Sequence, residues 1–303
     1  MISRRRQLTL AIVLIAACAT GAAVVMKLRD ARSFADPHRL LSRFPVEDAT
    51  VLRIDFSALR RGGFLTASKS PLEPEYRQFL EGTGFDYRRD LDLLVASFSK
   101  SGNYFIAEGR FDWNKLRDYA ARQGGSCYED LCRMPGSTPQ RHISFLPLRS
   151  GVLALAVSTD DLAVSHLAKE GAPVTAQLPD APAWISVPGA ALREPGVFPP
   201  GLHLMLSALT NADRVVVTLG PQGQGIEAHM NATCRTPDDA RVLASQLRST
   251  TSLLKEGMAA NKQVQSDDLA RMLVAGRFDQ TDKLVAGQWP VDKSLLDSLT
   301  DGI

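Results

Sequence analysis

Alternation of hydrophobic and polar residues predicts short β-strands, separated by segments with helical periodicity. Residues 50–56 alternate with a period of two, and residues 91–99 and 104–111 form a strand pair joined by a polar turn. Residues 113–123 have helical periodicity and follow Asp112, a typical N-cap residue. The remaining elements predicted for this half are helices over residues 74–81 and 160–169 and strands near 127–133, 142–148 and 152–157.

The same succession of elements recurs in the second half of the chain. After a proline-containing linker at residues 171–182, residues 183–193 resemble residues 50–60, and both segments end in Ala-Leu-Arg. A strand–turn–strand pattern follows in each half, then a helix, which is predicted over residues 237–262 in the second half. The tetrapeptide Gly-Arg-Phe-Asp also occurs in both halves, beginning at Gly109 and Gly276.

This repetition predicts an α+β fold built from two related modules, residues 47–175 and 176–303. Runs of short strands joined by tight turns are typical of antiparallel sheets. We therefore expect each module to be an antiparallel sheet with helices packed on one face.

The N-terminus predicts a membrane-associated segment. Residues 8–26 contain no charge and follow three consecutive arginines, and 19 residues span roughly 28 Å as a helix. Residues 1–27 are predicted to be an uncleaved anchor, a cleaved signal peptide or a lipoprotein signal with Cys18 as the lipidated residue. Residues 28–46 would then form a tether, and each alternative places the rest of the chain outside the bacterial inner membrane.

Charge excludes one class of partner. The chain has 35 Lys and Arg against 33 Asp and Glu, but residues 1–27 hold four of the cations and none of the anions. The remainder therefore has 31 basic and 33 acidic residues, a formal charge of −2. Without a basic surface, no nucleic-acid partner is expected.

The cysteines predict a disulfide. Cys127 and Cys132 are separated by four residues, which in an exported protein predicts a bond across a short loop. A zinc site would need two further ligands, and only His142 lies near in sequence. The usual redox motif has two intervening residues rather than four. Cys234 stands alone on a predicted strand.

Few residues are candidates for a catalytic site. Ser97 and Lys100 have the Ser-x-x-Lys spacing of penicillin-interacting enzymes, but Ser97 is predicted on a strand and Lys100 on the hairpin turn that follows, whereas those enzymes place the serine at a helix N-terminus. Asp90 and Asp92 are spaced to share one face of a strand and could act as an acid–base pair. Neither pair is accompanied by a recognised motif. The sequence therefore favours a protein without catalytic, metal-binding or cofactor-binding residues, with an envelope hydrolase at these positions as the alternative.

Aromatic residues are concentrated in the first module. They include Tyr76, Phe79, Phe85, Tyr87, Phe98, Phe105, Phe111, Trp113 and Tyr119. Such a cluster could line a groove for a peptide, glycan or lipid. Core packing is the simpler interpretation.

In each half a strand is followed by Ala-Leu-Arg, a hairpin and a helix. This order of elements resembles that of bacterial envelope proteins that have an N-terminal anchor, duplicated α+β modules and no assigned activity. Residues 54–60 and the two Gly-Arg-Phe-Asp elements carry the resemblance, which spans roughly residues 49–300. It implies a membrane-tethered, non-enzymatic protein that binds an envelope protein, lipid or wall component. A carrier of an apolar ligand is a further alternative, which requires an enclosed apolar cavity of at least ~300 Å³.

Overall fold

The structure is a computed structural model that describes residues 36–65, 73–172, 174, 177–194, 208–222, 225–260, 268–292 and 295. The chain divides into two compact units. The smaller unit combines the N-terminal residues through Phe44 with the segment Lys169–Leu178, and the larger unit contains Pro45–Ala168 and Pro179–Ile303.

In the smaller unit, part of the predicted tether is folded. Helix α1 (Pro37–Leu41) begins after Asp36, whose carboxylate accepts a hydrogen bond from the His38 backbone N–H. His38 Nδ1 lies 2.7 Å from the Val174 carbonyl oxygen, and Arg43 pairs with Glu170 at 2.7 Å. These contacts hold residues 36–43 against the second segment of the same unit.

The described residues of the larger unit form one antiparallel sheet of twelve strands. In chain order the strands are β1 (Thr50–Asp55), β2 (Leu91–Ser99), β3 (Gly102–Gly109), β4 (Ser126–Tyr128), β5 (Leu131–Pro135), β6 (His142–Arg149), β7 (Val152–Ser158), β8 (Ala183–Pro188), β9 (Arg214–Gln222), β10 (Gly225–Thr233), β11 (Arg277–Thr281) and β12 (Leu284–Val291). Their spatial order is β11-β12-β10-β9-β8-β1-β2-β3-β7-β6-β5-β4. The two predicted modules therefore share one sheet, which is joined by the pairing of β1 with β8.

Strand order is the same on both sides of this junction. Outward from the centre it is β1-β2-β3-β7-β6 in one half and β8-β9-β10-β12-β11 in the other, with β5 and β4 added at the end of the first. At the centre, Leu52 lies opposite Ile185. These two residues also occupy matching positions in the similar segments 50–60 and 183–193.

Among the described residues of the larger unit, one helix is long and the others are short. The helices are α2 (Phe56–Arg61), α3 (Pro74–Thr83), α4 (Tyr87–Asp90), α5 (Trp113–Arg122), α6 (Gly189–Leu192), α7 (Pro237–Ala260) and α8 (Asp268–Val274), together with a 3-10 helix at Ala163–Ala168. None of the helices formed by described residues is both long and apolar enough to cross a bilayer. The predicted membrane segment, with Cys18, lies outside the described residues, as do residues 28–35 of the predicted tether.

Helices α5 and α7 pack on the same face of the sheet, at opposite ends. A row of apolar side chains crosses this face, formed by Leu155, Phe105, Ala96, Leu52, Ile185, Val217 and Met230. Leu116 of α5 packs with Leu155 at one end, and Leu243 of α7 packs with Met230 at the other. We call this the helical face, and the other the reverse face.

The prediction of helices on one face is wrong in one place. Instead of an α-helix over 160–169, the chain forms the 3-10 helix Ala163–Ala168, which lies on the reverse face of the first half. The Val164 backbone N–H donates to Ser144 Oγ at 3.3 Å, and Ser144 belongs to the reverse face because its neighbour Phe145 packs with α5. The first half is therefore covered on both faces.

Candidate binding surface

The predicted cysteine pair lies at the end of the first half. Cys127 on β4 and Cys132 on β5 are directly opposite each other, with their sulfur atoms at disulfide distance. Cys132 is fully buried against Phe145, so the bond fixes the terminal hairpin to the core. Cys234 is buried as a free thiol, and burial raises its pKa.

Ser97 and Lys100 do not form a nucleophile–base pair. Ser97 is fully buried, and its hydroxyl donates to the Pro45 carbonyl oxygen at 2.7 Å. Lys100 lies on the β2–β3 turn with 90% of its side chain exposed, 3.5 Å from Glu194. An activated serine requires a base within hydrogen-bonding reach and a path for substrate, and Ser97 has neither here.

Asp90 and Asp92 are also kept apart. Asp90 ends α4, whereas Asp92 falls at a bulge where the pairing of β2 with β3 is interrupted, so the expected i, i+2 alignment is lost. Asp90 is buried and accepts two hydrogen bonds from Arg89, while Arg110 lies 3.0 Å away. Asp92 pairs instead with Arg60.

Electrostatics exclude Asp90 as a general acid at neutral pH. The hydrogen bonds from Arg89 lower its pKa to about 2, in spite of burial, which acts in the opposite direction. A carboxyl group with this pKa stays ionised at pH 7. Asp90 is therefore an ion-paired carboxylate at the corner between α4 and β2 and not a general acid.

The aromatic cluster of the first module consists largely of rings packed against each other. Phe79 meets Tyr119 edge to face at 5.3 Å, and Phe85 stacks on Phe111 at 4.8 Å. Tyr76 packs against Tyr87, and burial raises the pKa of Tyr76 to about 12.

A cleft of about 290 Å³ between α3 and α5 is lined by Gln78, Glu81, Gly82, Tyr119, Arg122 and Gln123. This cleft is open to solvent and is therefore not the enclosed apolar cavity that a carrier of an apolar ligand requires.

The reverse face of the second half carries a different kind of surface. One row across it is formed by Thr218 on β9, His229 on β10, Gln288 on β12 and Arg277 on β11. Glu227 lies next to this row on β10, with its carboxylate 2.8 Å from His229 Nε2. Gln288 and Arg277 are exposed, and Thr218, Glu227 and His229 are half-buried.

The adjacent row on this face contains Asn231 on β10 and Asp279 on β11, both of them exposed. We call these seven residues the reverse-face patch: Thr218, Glu227, His229, Asn231, Arg277, Asp279 and Gln288. The patch combines hydrogen-bond donors, acceptors and charges of both signs on one face of the sheet. Within the described part of the chain, no group of three or more His, Cys, Asp or Glu side chains could hold a metal ion.

In the first half, the same face is buried. Tyr104 and Ile106 on β3 and Ala154 and Ala156 on β7 are at most 5% exposed. The 3-10 helix covers this region and buries Ala163, Val164 and Leu167. The two halves thus share strand order but differ in what covers the reverse face.

Comparison with known proteins identifies a similar fold but no family. No family model matches the sequence, and no curated protein matches it. Crystal form III of TP0453 superposes with a TM-score of 0.50 at 7% identity, over 87% of this chain and 98% of that one. Crystal form I of the same protein gives a TM-score of 0.45 at 6% identity, over 86% of this chain and 96% of that one. At these identities the likeness extends to the fold alone.

Sequence reasoning missed the reverse-face patch although a signal for it was present. The segment Gly225–Thr233 alternates strictly, with Ile, Ala, Met and Ala at even positions and Glu, His, Asn and Thr between them. Such alternation is typical of a strand with one buried and one solvated face. The even positions face α7, which places Glu227, His229 and Asn231 on the surface.

Proposed function

We propose that this chain is an exported, membrane-tethered protein of the bacterial cell envelope. It is non-enzymatic and binds a partner through the reverse-face patch of its second half. The observation that carries the proposal is the difference between the two halves: a helix covers this face in the first half, whereas no helix of the described residues covers it in the second, where it carries polar and charged groups.

Two features support export, one at the N-terminus and one in the folded region. Residues 8–26 are apolar and follow Arg4, Arg5 and Arg6, which favours retention of the N-terminus in the cytoplasm. The pair Cys127 and Cys132 is at disulfide distance, and such bonds persist in oxidising compartments. The protein would be a single-pass inner-membrane protein, or a lipoprotein if the chain is cleaved before Cys18.

A non-enzymatic role is supported by what the candidate catalytic residues do. Ser97 bonds to a backbone carbonyl in the core, and Asp90 is neutralised by arginines. The partner would be an envelope protein, a lipid or a wall component, in addition to the membrane itself.

Duplication is part of the same proposal. The match between residues 50–60 and 183–193 coincides with equal strand order and with the central position of the Leu52–Ile185 pair. After a duplication, one copy can keep its cover while the other loses it and gains a binding surface.

Site-specific photocross-linking tests this function. A photoreactive phenylalanine analogue in place of His229 is expected to give an adduct of discrete mass when cells are irradiated, because His229 lies at the centre of the patch. The same residue in place of Lys255, which is exposed on α7, serves as the matched control. Equal cross-linking from both positions, or none from His229, would contradict the proposal.

A further inference from the structure

Among the described strands, β11 forms one edge of the sheet and presents backbone groups away from its neighbour β12. Arg248 Nη2 of α7 donates to the Phe278 carbonyl oxygen at 2.8 Å, so this carbonyl points outward. In an antiparallel strand every second residue has the same orientation, which places the backbone N–H and C=O of Gln280 outward as well. The described residues provide no backbone partner for these Gln280 groups.

Two opposite charges flank Phe278 on this edge. Arg277 and Asp279 both lie on the reverse face because they are two residues apart on one strand, and both are exposed. Neither has an ion-pair partner among the residues that the structure describes. A second strand with the same sequence, laid antiparallel and centred on Phe278, would place an aspartate opposite Arg277 and an arginine opposite Asp279.

We propose that two copies of this chain pair edge to edge through β11, around a twofold axis at Phe278. The outward N–H and C=O groups of Phe278 would bond to those of Phe278 in the second copy. The Gln280 N–H would face the carbonyl of Gly276 in that copy, because the Gly276 N–H donates to the Leu273 carbonyl oxygen of its own chain. Arg248 would release the Phe278 carbonyl, which exchanges a side-chain hydrogen bond for a backbone one. Because the contact is isologous, it closes at a dimer.

Charge complementarity selects this register. Cross-strand pairs of opposite charge stabilise antiparallel strands, and like charges directly opposite each other destabilise them. Centring on Phe278 forms two Arg277–Asp279 pairs at once. Centring on Asp279 would instead place the two Asp279 carboxylates opposite each other. The pairing would also join the reverse-face patches of the two copies into one surface, because Arg277 and Asp279 belong to both the patch and the edge.

A charge-exchange series tests the dimer. The full chain in detergent is studied by sedimentation equilibrium, and Arg277→Asp is expected to weaken association at least about tenfold because both pairs become repulsive. The double variant Arg277→Asp with Asp279→Arg should restore it. Lys255→Asp makes the same change of charge on the outer side of α7 and should have no effect.

Disulfide trapping tests the register independently. In the proposed pairing Arg277 and Asp279 form a non-hydrogen-bonded pair, with Cα atoms ~4.5 Å apart, which a disulfide can bridge. On a Cys18→Ser background, a mixture of the Arg277→Cys and Asp279→Cys variants should form a covalent dimer on oxidation, whereas each variant alone should form no covalent dimer. Failure of the mixture to cross-link, or of the double charge exchange to restore association, would overturn the proposal.

Discussion

Replacing Leu243 with alanine is expected to lower the free energy of unfolding by about 3–5 kcal/mol. Leu243 is fully buried where α7 packs on the helical face, in one cluster with Met230, Val285 and Trp289. Truncation removes the transfer free energy of its methyl groups and leaves a cavity between helix and sheet. Urea unfolding followed by tryptophan fluorescence measures the change, since Trp289 lies in the same cluster.

Leu253→Ala on the same helix is the control. Its side chain is 65% exposed, so the same truncation should change the free energy of unfolding by less than about 0.5 kcal/mol. Similar losses at both positions would show that α7 does not pack on the sheet as described.

Replacing Asp90 with asparagine is expected to lower the free energy of unfolding by about 2 kcal/mol at pH 7. The reason is the pKa of Asp90, which the Arg89 hydrogen bonds lower from 3.8 to about 2 in the folded state. Asparagine keeps the size of the side chain but carries no charge for Arg89 and Arg110. Equilibrium unfolding in urea at fixed pH measures the loss.

The lowered pKa of Asp90 also makes the free energy of unfolding depend on pH. Because the pKa of Asp90 is lower in the folded state than in the unfolded state, its contribution is fully present above about pH 4. It disappears as the pH falls towards about 2. Over this interval the stability of the native protein should therefore fall more steeply than that of Asp90→Asn.

Asp92→Asn is the matched control for this experiment. Asp92 is 47% exposed and pairs with Arg60 at the surface, and such pairs contribute at most about 1 kcal/mol. An equal loss of stability in the two variants would contradict the role assigned to the buried Asp90.

Local patterns predicted most elements of the first half. The strands over residues 50–56, 91–99 and 104–111 differ from the observed ones by two residues or fewer, and α5 follows Asp112, whose carboxylate accepts a hydrogen bond from the Lys115 backbone N–H. These elements depend on alternation, turns and caps, which are properties of short segments.

The joining of the halves could not be predicted in the same way. Strands β1 and β8 each have neighbours on both sides, and nothing in their own sequences specifies Leu52 and Ile185 as partners. The 3-10 helix at Ala163–Ala168 is a similar case, because its conformation depends on packing against β6 and β7. Both features result from tertiary contacts between distant segments.

The candidate site was likewise predictable only where its residues lie close together in the sequence. Spacing predicted the cysteine pair because its partners are five residues apart on one hairpin. It failed for Asp90 and Asp92, where a bulge intervenes, and the reverse-face patch combines strands from β9 to β11 that no local pattern connects. The alternation in β10 indicates one buried and one solvated face, but which face of the sheet the described helices cover depends on how they pack.

Export of the folded region is the central claim, and thiol labelling tests it most directly. In a Cys18→Ser background, Lys255→Cys introduces an exposed thiol on α7, while Cys234 is buried and Cys127 lies at disulfide distance from Cys132. A membrane-impermeant maleimide is expected to label Lys255→Cys in intact spheroplasts. Labelling that appears only after lysis would place the folded region in the cytoplasm and contradict the proposed function.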